Sequence, residues 1–467
     1  MIWLICLFGL ILRLISLNQS LWLDEAIEAW AVSNFSYKDL ITSYSISDFH
    51  PPLYHLLLKA WTQIFGISEI SLRLPSVLLG ALTIYVVYLL GKEIKNQKFA
   101  IITSLLLTTS SLHIYYSQEA RMYSLNTFLA ALSSFFLLKL SYNSHLNFRK
   151  SFLLWVGFTL TTILFLYTTY LSFFMLFGFL AFLVWEKKRI KGNFWRKFGL
   201  NIGIVCLTFL VWIPYFIKQL SVGQKLVTAF PVWSATVGGA SLKSFLLVFI
   251  KFSIGRISLE NKLMYGLLMI PILILASFLI VRSFQDKKSR FFVSCFFIPL
   301  FLSFLFSFFV PAVSYFRLLY LLPFFYFLIS FGLTTFNQRL RKTLLSLILL
   351  LNLITSSIYL FNPKFHREDW RSASQYLKKV NSENSPVLII KEVERPFLYY
   401  DLGESKVLPF GQAGNELTNY DTIWVVPYAE AIFDPSQAQR RMIEGLGFKN
   451  VFTKYFNGVG IEKFTKE

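Results

Sequence analysis

The sequence predicts a multi-span α-helical membrane protein with a small C-terminal α/β domain, and three observations predict it. Hydrophobic residues make up 55% of the 467 residues, 51 of them phenylalanine, while charged residues make up 15%, against about 25% in an average soluble domain. Long apolar runs recur along residues 1–361, each about 17–22 residues and so able to cross the hydrocarbon as a helix. Polar residues then return over residues 362–467, where short β-rich runs alternate with helical ones. A soluble fold could not hide so much apolar surface, and the mean hydropathy of +0.57 agrees.

Taken in order, spans are expected near 1–17, 74–92, 98–115, 121–140, 151–167, 169–185, 198–217, 263–282, 291–310, 313–335 and 342–361, about eleven in all. The near-continuous stretch 151–185 is divided at Tyr167-Thr168-Thr169-Tyr170. The first run lacks a basic start and a small-residue cleavage site, so it reads as an uncleaved span. Basic blocks Lys92/Lys95/Lys98, Arg149/Lys150, Lys187/Lys188/Arg189/Lys191/Arg196/Lys197, Arg282/Lys287/Lys288/Arg290 and Arg339/Arg341/Lys342 occupy alternate loops. The positive-inside rule places these in the cytoplasm. The N-terminus is then cytoplasmic, the location is the plasma (inner) membrane, and loops 18–73 and 218–262 and the C-terminal domain are extracytoplasmic. The same blocks account for the net charge of +20; no basic soluble module suggests nucleic acid. Cys6, Cys206 and Cys295 lie in apolar runs without paired or metal-ligand spacing.

Loop 18–73 carries its own helical patterns. One follows Trp22-Leu23-Asp24-Glu25. A second runs from Leu53 to Phe65, with a double proline before it and Gly66 after it. Both suit juxtamembrane helices on the outer surface. In the C-terminal domain, strands are expected at Pro386–Val393, Asp421–Val426 and Val451–Tyr455, and helices at Trp370–Val380 and Pro435–Leu446.

Charges at the outward ends of the spans break the membrane pattern. Arg13, Arg73, Arg121 and Arg317 stand there, and so do Asp24, Glu25, Asp48 and Glu119. Guanidinium matches phosphate oxygens in a planar fork. Arginines and acids gathered at one interface suggest a site for a phosphate-bearing lipid. Ordinary snorkelling to headgroups is the bland alternative, and for Arg13 the preferred one. For Asp24 the alternative is a helix N-cap, and for Glu25 a first-turn acid facing the helix dipole. No Gly-rich phosphate loop is present.

Trp22-Leu23-Asp24-Glu25, Asp48-Phe49-His50-Pro51-Pro52-Leu53 and Ser71-Leu72-Arg73-Leu74-Pro75-Ser76, in that order, resemble the dolichyl-phosphate-mannose protein mannosyltransferases and their bacterial relatives, the aminoarabinose transferases. This is glycosyltransferase family 39, of the C-type membrane glycosyltransferase fold. Tyr116–Tyr123 and His366–Arg371 are similar to the bacterial branch. The resemblance implies a sugar donor on a polyprenyl phosphate and inverting transfer to an extracytoplasmic acceptor hydroxyl. Asp24 matches the first acid of the family's pair and is the implied base, with Glu25 orienting it or the acceptor. Arg73 matches the family's arginine and is the first implied phosphate ligand, with Arg121 and Arg317 as further ones. Asp48 and His50 could bind the acceptor or help hold a divalent metal, though two residues do not complete a metal site; no other cofactor is implied. Loop 218–262 is too short for the eukaryotic sugar-binding insert, which leaves protein, lipid and cell-envelope glycan open as acceptors. A lipid-linked sugar flippase shares many spans and interfacial arginines, and is the competing reading.

Overall fold

The computed structural model describes residues 1–142, 147–190, 192–229, 238–381, 385–391, 393–403, 405–410 and 414–466. Glu392, inside an expected strand, and residues 230–237 of the expected loop 218–262 lie outside these. Among the described residues, six helices are long and apolar enough to cross a membrane, or up to eight if each of two bent pairs is one span. Shorter apolar helices Ile2–Leu14, Tyr170–Trp185 and Leu319–Thr334 stand where three more spans are expected. The chain is a multi-pass membrane protein, and its outer faces show why. Leu263, Leu267, Ile274 and Val281 of the helix Lys262–Ser283 are all exposed, an apolar surface that suits lipid.

Two expected spans are corrected. The stretch 98–115 is not one helix but two, bent by 63°. Ser110 leaves the helical region at ψ 115° and its side chain accepts a hydrogen bond from the His113 amide, starting a new helix, Ser111–Ser117. The stretch 198–217 likewise divides into Phe194–Leu210 and Ile213–Ala229, bent by 59°. Pro214 sits in the first turn of the second helix, where a missing N–H costs nothing. That helix therefore runs into the expected loop 218–262, and a further helix, Leu242–Ile254, follows within it. Glu69–Ile94 and Gln97–Thr109 pack tightly at Gly91, where a Cβ would fall 2.6 Å from the Ala100 Cα.

The first external loop folds largely as expected. Helices cover Leu23–Asn34 and Leu53–Phe65, and Gly66 ends the second at φ 76°. Between them a short irregular helical run ends at Asp48, followed by Phe49 at φ 61°. Arg73 lies within the helix Glu69–Ile94 rather than ahead of it.

After the last apolar helix, Gln338–Phe361, comes the helix Trp370–Val380 and a five-stranded sheet. Its strands are β1 (Val387–Ile389), β2 (Val407–Pro409), β3 (Thr422–Val425), β4 (Phe448–Phe456) and β5 (Val459–Lys466). The order is β2-β1-β3-β5-β4, with β1 parallel to β2 and β3, and β5 antiparallel to β3 and β4. β2 and β5 are additions to the expected strands. This region is bonded to the first external loop. Arg371 donates to Glu69 (2.5 Å) and to the Asn18 carbonyl (2.8 Å). Tyr400 accepts from the Leu21 amide (2.8 Å), and Tyr399 donates to the Ile67 carbonyl (2.6 Å).

Candidate active site

A cavity of about 1930 Å³ lies between these parts. The first external loop supplies Asp24, Asp48 and His50, and the bent-helix segment supplies Tyr115, Glu119 and Arg121. Arg256 and Arg317 come from later loops, and Glu368, Lys391 and Tyr428 from the C-terminal region. Phe173, Phe209, Phe216, Phe306 and Phe309 give one part of the wall an apolar character suited to a lipid chain.

Asp24 stands in the first turn of Leu23–Asn34, but it does not cap the helix. Trp22 is the N-cap residue, and the first amides are taken by other carboxylates: Trp22 N–H donates to Glu25 (3.4 Å) and Leu23 N–H to Glu368 (3.3 Å). Among the described residues, no group hydrogen-bonds the half-buried Asp24 carboxylate. Its carboxyl is pushed up to about 6. Burial is the main cause, Arg121 opposes it, and Asp48, Glu119 and Glu368 add to it.

Asp48 belongs to a compact network. It accepts from Arg121 (2.9 Å) and from His50 Nδ1 (2.9 Å), and His55 Nε2 lies 3.4 Å away. His55 Nδ1 bonds the fully buried Glu28 (2.7 Å), which also receives Tyr44 (3.2 Å) and Arg121 (3.3 Å). Burial alone would raise the Asp48 carboxyl, but Arg121, His50 and His55 hold it well below the usual range. Burial would lower His55, yet Glu28 and Asp48 raise it to about 9. His50 is lowered, by burial first and by Arg121 and Arg317, against the pull of Asp48. Both partners of its Nδ1 are acceptors, the Asp48 carbonyl (2.7 Å) and carboxylate, so Nδ1 carries the proton.

Arg317 spends one N–H on the Pro311 carbonyl (2.8 Å) and lines the cavity. Arg121 is only 4% exposed, and its Nε has no partner among the described residues. Arg256 escapes the sequence reading, and Glu368 enters it only as part of the His366–Arg371 segment. Arg256 is one more arginine on an outward loop, so the criterion that picked Arg317 would have found it; it lies over the Tyr115 ring at 4.7 Å and donates to its hydroxyl.

Three expectations are corrected. Arg73 does not face the cavity. It is 1% exposed, and its five N–H groups meet five acceptors: Glu25 Oε1 (2.9 Å) and Oε2 (2.5 Å), and the carbonyls of Leu17 (2.8 Å), Gln19 (2.6 Å) and Ser20 (2.9 Å). No donor is left for a phosphate. Glu25, fully buried, accepts the Ala120 amide as well (2.8 Å), so it reaches no acceptor substrate. Arg13 does not snorkel: it is buried in protein, with its guanidinium on Ser117 (3.1 Å), the Gly9 carbonyl (2.7 Å) and His113 Nδ1 (2.5 Å). Arg367 also faces inward, donating to Glu119 (2.8 Å) and to the carbonyls of Tyr115 (3.2 Å) and Gln118 (3.0 Å).

The donor set at Asp48 and His50 does not fit a divalent cation. Arg121 and two imidazoles already hold the Asp48 carboxylate. No group of three or more His, Cys, Asp or Glu suited to a metal occurs among the described residues.

Residues 49–212 match the family model of the dolichyl-phosphate-mannose-protein mannosyltransferases. The resemblance read from the motifs is thereby borne out over that segment. No curated protein matches the chain by sequence. The crystal structure of ArnT from Cupriavidus metallidurans bound to undecaprenyl phosphate superposes with a TM-score of 0.61 at 11% identity, covering 98% of this chain and 97% of that one. Its apo state gives 0.60 at 11% identity, over 99% and 97%. The Archaeoglobus fulgidus oligosaccharyltransferase in complex with Zn and sulfate gives 0.53 at 12% identity, over 98% of this chain and 72% of that one. The chain shares the fold of these structures and carries a small C-terminal sheet.

Proposed function

We propose that this chain is a membrane glycosyltransferase that moves a sugar from a polyprenyl phosphate to an extracytoplasmic acceptor hydroxyl, with Asp24 as the base. The observation that carries this is the Asp24 carboxylate, unbonded among the described residues and open to a cavity that also presents Arg121 and Arg317. The family match over residues 49–212 supports the donor class, and a likeness in fold to an ArnT bound to undecaprenyl phosphate accords with it.

In the proposed reaction Asp24 takes the proton of the acceptor hydroxyl as its oxygen attacks the anomeric carbon. The bond from that carbon to the phosphate oxygen breaks, its electron pair stays on the phosphate, and one displacement inverts the configuration. The leaving group gains negative charge rather than a proton, which fixed guanidinium groups stabilise. Arg317 has N–H groups to spare for this, and Arg121 stands beside it. His50 offers an Nε2 lone pair to the acceptor. The outward-facing orientation, from the basic loops, puts the cavity on the extracytoplasmic side of the inner membrane.

The test is reconstitution with radiolabelled polyprenyl-phosphate sugars and acceptors extracted from cell envelopes. Asp24→Asn is expected to lose transfer by about 10²–10⁴-fold while still binding the donor. Transfer at the native rate by that variant would remove the reading, and lipid movement without transfer in the native protein would favour a flippase.

A further inference from the structure

We infer that Glu368, from the segment entering the C-terminal sheet, is a positioning residue for Asp24: it holds the first turn of the Asp24 helix and leaves the Asp24 carboxylate free to work. The inference rests on the reading of Asp24 as the base. Glu368 Oε2 accepts the Leu23 amide (3.3 Å) and Trp370 Nε1 (2.8 Å), and its Oε1 accepts the Tyr428 hydroxyl (2.8 Å). A helix start leaves its first amides without partners, and an acid in the first turn can be drawn into bonding them. Glu368 and Glu25 take the Leu23 and Trp22 amides instead.

Glu368 is itself held firmly. Trp370 is fully buried against Phe397 and Tyr428, with ring centroids 5.2 and 5.0 Å apart. The β4–β5 turn closes over the segment, with Asn457 Nδ2 donating to the carbonyls of His366 (3.1 Å) and Arg367 (2.9 Å). At Gly458 a Cβ would meet Glu368 Cγ at 2.8 Å, so the turn packs directly on this side chain. The C-terminal region thus lines the cavity with Lys391 and Tyr428 and, through the Glu368 carboxylate, also holds the start of the Asp24 helix.

The groups facing Asp24 are Arg121, Arg317, Asp48, Glu119, Glu368, Tyr123 and Tyr428. Removing the Glu368 charge leaves fewer anions against Asp24. Glu368→Gln is therefore expected to move the acid limb of the transfer profile, near pH 6 in the native protein, to lower pH. Glu368→Ala, which also removes the acceptors of the Leu23, Trp370 and Tyr428 hydrogen bonds, is expected to reduce kcat by about 10–100-fold with little change in KM for the donor. Glu368→Asp, which keeps the charge, should return the limb towards its native position with partial recovery of kcat. An acid limb unmoved in Glu368→Gln would overturn the inference, and so would a limb in Glu368→Asp that matches that of Glu368→Gln. Asp24→Asn run alongside separates the two failures. Native transfer in Asp24→Asn sinks the base assignment itself, whereas an inactive Asp24→Asn with an unmoved limb in Glu368→Gln sinks the positioning role alone.

Discussion

Asp24 and Glu25 are neighbours in one helical turn, yet they belong to two different regions. Glu25 is sealed in a knot with Arg73 and three loop carbonyls, where every guanidinium N–H is used. Asp24 faces a cavity, its carboxylate without a hydrogen bond among the described residues and with Arg317 and Arg121 nearby. The same two residue types hold the fold together in one region and are left free for chemistry in the other. What separates them is satisfaction: a charge whose bonds are all made inside the protein has nothing left for a substrate.

The sharpest way to break this contrast is on the sealed side. Arg73→Ala removes the hydrogen-bonded cationic partner of a fully buried carboxylate and leaves it only Arg367, at 3.7 Å, so a stability loss of about 3–5 kcal/mol is expected, read as a lower melting temperature in detergent. A variant that melts like the native protein but binds donor poorly would return Arg73 to the substrate. On the open side, Arg317→Ala should weaken polyprenyl-phosphate binding by roughly tenfold and leave melting unchanged, as isothermal titration and thermal scans would show. The gentlest probe is pH. The Asp24 carboxyl titrates at about 6, and the base is its ionised form, so transfer should be level above that value. It should fall as pH drops through it, as protonation takes the base away. Transfer that persists undiminished at about pH 4.5, well below that value, would contradict the assignment.

Much of the framework was legible. The double proline before Leu53 and Gly66 after Phe65 mark a helix because one fits a first turn and the other a positive φ. The helix Trp370–Val380 follows from its strong two-faced pattern. The bends near Ser110 and Trp212 were missed although the sequence marks both: Thr108-Thr109-Ser110-Ser111 interrupts one apolar run, and Pro214 stands at the start of the second helix. β5 was missed because Glu462 and Lys463 interrupt its apolar run, and only the pairing with β3 and β4 settles it. At the site, residue type and side of the membrane picked out Asp24, Asp48, Arg121 and Arg317, and the family resemblance added His50; all five line the cavity. Residue type and side could not tell Arg73 from Arg121. Arg73 is sealed by a partner 48 residues away and Arg121 bonds one 73 residues away, and such pairings exist only once the chain is folded.

The most direct measurement compares the two neighbouring acids: transfer per folded molecule in Asp24→Asn and in Glu25→Gln, with each folded fraction measured by melting. The account expects Asp24→Asn to be fully folded and nearly inactive, and Glu25→Gln to be destabilised but active in the fraction that folds. A stable, inactive Glu25→Gln beside an active Asp24→Asn would contradict it.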